Sequence, residues 1–187
     1  AARVTLIIVP PNLGFVELPE FKQLGTSETP DGRQLKTLRG VANVETADGR
    51  MAIAVGEEGI VDVPSTLSNY AATYSIVKHE FGHAIHLQAM DEKQRQRVTT
   101  LYIQHKARDV DNSLDTWTDK YASLDDREYF AQATAAFFGA NGSSDGTAHN
   151  GPQWLAENDP EMYRFLLEIY AAPAHLDTGD ANERPAR

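Results

Sequence analysis

The chain has 187 residues, 41% of them hydrophobic and 24% charged, which is typical of one soluble globular domain with its own core. Its net charge of −10 argues against a nucleic-acid partner, because the phosphates would be repelled. No apolar run reaches the roughly 18 residues of a membrane span, so no membrane partner is expected. The absence of cysteine excludes disulfide bonds and thiolate metal ligands.

The first half of the chain is predicted to form a small β-sheet. A β-branched run over Arg3–Val9 indicates a buried strand. VANVETADGRMAIAV contains two strand-like runs around Asp48–Gly49, a pair typical of hairpin turns. GIVDV (59–63) predicts a further short strand, and one short helix is expected near Glu20–Leu24.

The second half of the chain is predicted to be helical, because apolar residues and histidines recur every three to four positions after Ser65. Two helices are predicted over about 66–90 and 92–106, followed by a polar loop at 109–120. A third helix is predicted in DDREYFAQATAAFFGANG, ending near Gly139 or Gly142, and a last one over Pro160–Tyr170. Strands followed by helices predict an α+β fold. We expect residues 1–170 to form a single domain and residues 171–187 a flexible C-terminal tail.

The segment HEFGHAIH (79–86) carries the strongest chemical signal. On a helix, His79 and His83 lie one turn apart on the same face and can bind one ion between them. Glu80 is offset by one residue, beside the ion, where it can act on a water. This is the HExxH arrangement of two metal ligands and a general base. His86 is too far along the axis, about 10 Å from His79, to join the same ion.

A third ligand must come from another part of the chain, and the residues alone leave several candidates. Glu128 is favoured because it lies one turn before Gln132, so that both can face the HExxH helix and Gln132 can hydrogen-bond a ligand. Asp125 followed by Glu128 is also typical of a helix start, which is compatible with a ligand there. The competing candidates are Asp109, Asp115, Asp119, Asp125, Asp126, His105 and His149.

The chain resembles the lethal-factor-type gluzincin zinc metalloproteases, a family that includes the protease domain of anthrax lethal factor and the Pro-Pro endopeptidases. The resemblance is carried by HEFGH, by YASLDDRE leading into EYFAQA, and by NDPEMYRFLLEIY, and it covers residues 50–170. It implies that Glu128 is the third zinc ligand and that Tyr121, seven residues earlier, is catalytic. Gln132 departs from the family, which has glutamate there.

The resemblance implies a zinc endopeptidase acting on a protein or peptide substrate. One zinc ion held by His79, His83 and Glu128 would leave a position for water. Glu80 would be the general base and Tyr121 the donor to the oxyanion. The strand RMAIAV or GIVDV is expected to offer an edge for the substrate backbone. The alternative is a non-catalytic zinc-binding or pseudo-protease interaction domain, against which the intact Glu80 argues.

The expected location rests on the start of the chain. AARVTLIIVPPN does not form a signal peptide, and no targeting segment is visible. The start without methionine suggests processing or trimming. Together with the lethal-factor likeness, it favours a secreted or delivered effector, the protease being one module of a larger toxin.

Overall fold

The structure is a computed structural model that describes residues 4–29, 32–61, 74–111, 113–143 and 147–170. The predicted tail, residues 171–187, lies outside these ranges. In the described part the fold is mixed α+β, with three strands followed by helices, as the sequence predicts. None of the described helices combines the length and apolar character needed to cross a bilayer.

A three-stranded sheet forms the N-terminal half, with strands β1 (Thr5–Val9), β2 (Gly40–Glu45) and β3 (Met51–Gly56). Their order is β1-β3-β2, with β1 parallel and β2 antiparallel to β3. The predicted hairpin is confirmed: β2 and β3 are joined by a turn in which Gly49 adopts a φ of +81°. On one face of the sheet a core forms from Val9, Phe15, Phe21, Leu35, Leu38, Ala52 and Ala54.

The strand predicted over residues 59–63 is wrong where the structure describes it. Glu57–Gly59 forms a short 3-10 helix, and residues 60–61 form a turn. Residues 62–63 lie outside the described ranges. Both edges of β3 are already paired with β1 and β2, so this segment cannot form a strand next to β3 despite its β-branched residues. The short helix predicted near Glu20–Leu24 is present as a 3-10 helix over Pro19–Leu24.

The helical half begins with α1 (Ile76–Ala84), which continues as one π-helical stretch over Ile85–Ala89. The sequence places the start of this helix near residue 66. The described chain instead has Tyr74 in a β-bridge to Asn141 and Ser75 as the N-cap, its hydroxyl accepting from the Lys78 amide. Residues 66–73 of the prediction lie outside the described ranges.

Four more helices follow: α2 (Glu92–Arg108), α3 (Asp126–Phe137), α4 (Pro152–Asn158) and α5 (Pro160–Tyr170). The sequence predicts α2, α3 and α5 closely, and it leaves α4 unassigned. Their core is mainly Val98, Leu101, Trp117, Tyr129, Phe130, Leu155, Met162, Phe165 and Leu166. Trp117 belongs to the loop predicted as polar, yet it is fully buried and donates to Asp109 over 3.0 Å.

Candidate metal centre and active site

The contact between α1 and α3 positions the candidate site. Gly82 immediately precedes His83 in HEFGH and faces α3, where an added Cβ would stand only 2.9 Å from Ala131 Cα. The missing side chain therefore lets the two backbones approach closely. Asp125 caps α3 by accepting from the amides of Arg127 and Glu128 over 2.9 Å, which places Glu128 in its first turn beside α1.

His79, His83 and Glu128 converge on one point. The Nε2 atoms of the two histidines lie 3.0 Å apart, and Glu128 Oε2 lies 3.3 Å from each of them. Glu128 Oε2 is buried and has no hydrogen-bond partner among the described residues. Two ring nitrogens facing each other and a carboxylate oxygen form a donor set that suits a divalent cation. The cluster can hold a metal ion.

The pKa values of Glu128 and His79 are shifted in opposite directions by their mutual contact. Burial alone would raise the pKa of Glu128, but the facing imidazoles outweigh it and lower that pKa. Burial alone would lower the pKa of His79, but Glu128 and Glu80 outweigh it and raise that pKa. A bound cation would therefore compete with the proton that the raised pKa of His79 favours at lower pH.

Gln132 fixes the orientation of His79. The amide nitrogen of Gln132 donates to Asp119 Oδ2 over 2.7 Å, since a carboxylate can only accept. Its oxygen is thereby turned toward His79 Nδ1, 3.1 Å away, and toward the hydroxyl of Tyr74, which donates to it over 3.2 Å. His79 accordingly carries its proton on Nδ1 and presents the lone pair of Nε2 to the cluster. Gln132 thus makes the contact that the sequence assigned to it.

Glu80 lies next to the cluster, buried beneath β2. A Cβ added to Gly40 on that strand would stand 2.8 Å from Glu80 Oε1, so the strand and the carboxyl are close. Burial raises the pKa of Glu80, while the nearby His79 and His83 oppose the shift. A carboxyl whose pKa is raised in this way is suited to accept a proton and to release it again.

Tyr121 faces the cluster from a short 3-10 helix, Tyr121–Ser123. Asp119 fixes the start of this turn by accepting from the Ala122 amide over 2.9 Å. The Tyr121 ring lies 6.0 Å from the ring of His79, centroid to centroid. The structure therefore brings His79, Glu80, His83, Tyr121 and Glu128 together in the lining of one cleft of about 500 Å³.

The competing candidates for a metal ligand lie outside the trio. His105 pairs with Asp159 over 3.1 Å, and His149 stacks on Trp154 with the rings 4.4 Å apart. Asp119 bonds to Gln132, as described above. In the described ranges Asp109, Asp115, Asp125 and Asp126 do not join the converging group either. His86 is buried against Phe130, and its Nδ1 has no hydrogen-bond partner among the described residues.

Sequence reasoning was wrong about the strand edge. RMAIAV is β3, the central strand, and both of its edges are paired. The strand that lines the cleft is β2, through Gly40, Val41, Ala42 and Asn43. A bulge between Val41 and Val44, with Asn43 at a φ of 54°, bends this strand.

Two cleft residues were missed or misassigned. Arg33 lines the cleft and donates to the Tyr121 hydroxyl, although no motif in its loop marks it. The sequence suggests Asp119 only as a metal ligand, whereas in the structure it accepts a hydrogen bond from Gln132. No family model matches this chain, and no significant match is found among curated proteins or solved structures.

Proposed function

We propose that the protein is a zinc-dependent endopeptidase. The observation that carries the proposal is the convergence of His79 Nε2, His83 Nε2 and Glu128 Oε2, 3.0 to 3.3 Å apart, in an open cleft. Ligand atoms at zinc bond lengths of about 2.0–2.1 Å in tetrahedral geometry stand roughly 3.3 Å from each other. Among the described residues the converging group has three ligands rather than four, which supports a catalytic rather than a structural site.

The residues around the trio suit peptide hydrolysis. Bound zinc would polarise the scissile carbonyl and lower the pKa of a water. Glu80 takes the proton of the attacking water and passes it to the leaving amine. The Tyr121 hydroxyl donates to the oxyanion that develops on the carbonyl oxygen. Each role needs the side chain beside the cluster, where Glu80 and Tyr121 lie.

The substrate backbone is proposed to add to β2. One edge of β2 pairs with β3, while residues 40–43 line the cleft above Glu80. An extended peptide can hydrogen-bond to such an edge and present its carbonyl to the metal cluster. The bulge after Val41 limits the regular part of this edge to a few residues, which suits recognition of a short segment.

The test compares zinc content and peptide cleavage in matched variants. Glu80→Gln should keep zinc and fold while its cleavage of a peptide library falls by about 10² to 10⁴. His83→Ala should lose zinc. Glu157→Gln, an exposed change on α4, controls for loss of a carboxylate. A wild-type zinc protein that cleaves no peptide, or a Glu80→Gln variant as active as wild type, would refute the proposal and leave a zinc-binding domain.

A further inference from the structure

Arg33 comes from the N-terminal half, which no family resemblance covers, and its backbone is held in place. The Arg33 carbonyl accepts from the Thr29 amide over 2.9 Å, and the Arg33 amide donates to the Thr29 hydroxyl over 2.9 Å. Two residues later, Leu35 is buried in the core beneath the sheet. The loop is thus anchored to the sheet, and Arg33 itself points into the cleft.

The Arg33 guanidinium contacts Tyr121 in two ways. Its Nη2 donates to the Tyr121 hydroxyl, and its Cζ stands 5.1 Å from the centre of the Tyr121 ring. A guanidinium only donates hydrogen bonds, so the hydroxyl oxygen must act as the acceptor here. This contact therefore does not use the hydroxyl proton, and the Tyr121 ring lies 6.0 Å from the ring of His79 in the cluster.

We propose that Arg33 is a positioning residue that holds the Tyr121 hydroxyl with its proton directed at the oxyanion of the substrate. This inference rests on the proposed peptidase function. A purely stabilising role fits poorly, because Arg33 is exposed and exposed polar pairs contribute little to folding. By accepting from Arg33, the Tyr121 hydroxyl is polarised into a stronger donor to the oxyanion, which favours the transition state over bound substrate.

The experiment is a double-mutant cycle of Arg33→Gln and Tyr121→Phe, with kcat and KM measured on one cleaved peptide. Arg33→Gln should lower kcat by about tenfold or more, less than the roughly 10² to 10³ expected for Tyr121→Phe, and leave KM within about twofold. In the Tyr121→Phe background, Arg33→Gln should change kcat by less than about twofold, because its target is gone. Arg33→Lys should restore part of the lost kcat.

Arg127→Gln provides the matched control. Arg127 also lines the cleft and is exposed, but it pairs with Asp125 over 3.7 Å. In the double variant, the fold losses in kcat of Arg127→Gln and Tyr121→Phe should multiply, whatever the size of the first, since the two side chains are not coupled.

Three results would overturn the role of Arg33: wild-type kcat in Arg33→Gln, effects that multiply with Tyr121→Phe, or a rise in KM alone, which marks a substrate contact. These appear only in the variants. A failure of the proposed function appears in the wild type, as zinc-loaded protein that cleaves nothing, and it would overturn this inference as well. Thermal melts of the metal-free variants near that of wild type show that each protein is folded.

Discussion

Replacing Gly82 with alanine tests whether the close approach of α1 and α3 sets the geometry of the candidate metal cluster, His79, His83 and Glu128. The added Cβ would stand 2.9 Å from Ala131 Cα and 3.2 Å from Thr134 Cβ. Carbon atoms in contact prefer about 3.5–4.0 Å, so the helices must separate by several tenths of an ångström or more. Glu128 lies one turn before Ala131 and moves with α3. Metal sites tolerate displacements of only about 0.2 Å in ligand distance.

The size of the effect follows from two opposing contributions to the free energy of unfolding. Overpacking of this kind costs about 1–3 kcal/mol, while alanine in a helix is better than glycine by roughly 0.5–1 kcal/mol. The metal-free variant relieves the clash by moving α3 away. Zinc binding must draw Glu128 back, at a cost of about 1.4–2.8 kcal/mol, so zinc affinity should fall about ten- to a hundredfold.

Zinc titration calorimetry and urea unfolding of the metal-free protein measure both effects. Gly25→Ala is the control, because Gly25 has helical φ and ψ of −59° and −21° and an added Cβ would meet only Lys22 O, at 3.5 Å. It should bind zinc like wild type. If Gly82→Ala also bound zinc within about twofold of wild type and resisted urea better, the close helix contact would have no part in forming the site.

Two further predictions concern pH. Burial lowers the pKa of His86 from 6.5 to about 4, so the unfolded chain binds the proton more readily and stability falls as pH drops from 6.5 towards 4, by about 3 kcal/mol in all. His86→Leu should remove this contribution to the loss of stability at low pH. If the urea midpoints of wild type and His86→Leu fell in parallel between pH 6.5 and 4, the prediction would be contradicted. Because the pKa of His79 is raised, zinc must displace a proton from His79 at any pH below that pKa. Zinc affinity should therefore fall about tenfold for each pH unit below it. A calorimetric Kd that does not change between pH 5 and 7 would contradict this prediction.

The features that sequence predicted correctly are local. The spacing of His79 and His83 follows from helix geometry alone, whatever the helix packs against. The hairpin turn at Asp48–Gly49 and the cap at Asp125 need only the chemistry of a few adjacent residues. Each of these elements forms where the pattern places it, because the local preference and the tertiary packing agree.

The features that sequence missed depend on distant contacts. The central position of β3 is set by its parallel pairing with β1, whose residues lie 47 positions earlier in the chain (Thr5 pairs with Ala52). No local sequence pattern indicates this pairing. Arg33 meets Tyr121 across 88 residues. Trp117 is buried from a polar loop because it fills space between α2 and α3, against Tyr102 and Tyr129. Contacts of this kind are determined by tertiary packing, which cannot be predicted from local patterns in a single sequence.

Gln132 shows how such a distant contact can reverse an expectation, and Gln132→Glu tests it. The resembled family has glutamate at this position, which suggests that the exchange is harmless. Here, however, the side chain faces buried Asp119 over 2.7 Å, and burial already raises the pKa of that carboxyl. Wherever both are ionised, the introduced glutamate and Asp119 would form two facing acceptors, which costs about 1–3 kcal/mol.

We therefore expect Gln132→Glu to unfold at lower urea, with a loss that grows from pH 6 to pH 8 because one of the two carboxyls must take up a proton. Asp119→Asn in the same chain should rescue stability, since the asparagine amide can donate to the new carboxylate. Asp119→Asn alone places two amides opposite each other. It measures how much stability changes when the Asp119 charge is removed without the new glutamate, so that a true rescue in the double variant can be recognised. Urea unfolding at both pH values and zinc calorimetry measure the outcome. A Gln132→Glu protein that gains zinc affinity without any pH-dependent loss of stability would show that Asp119 does not fix the orientation of this side chain.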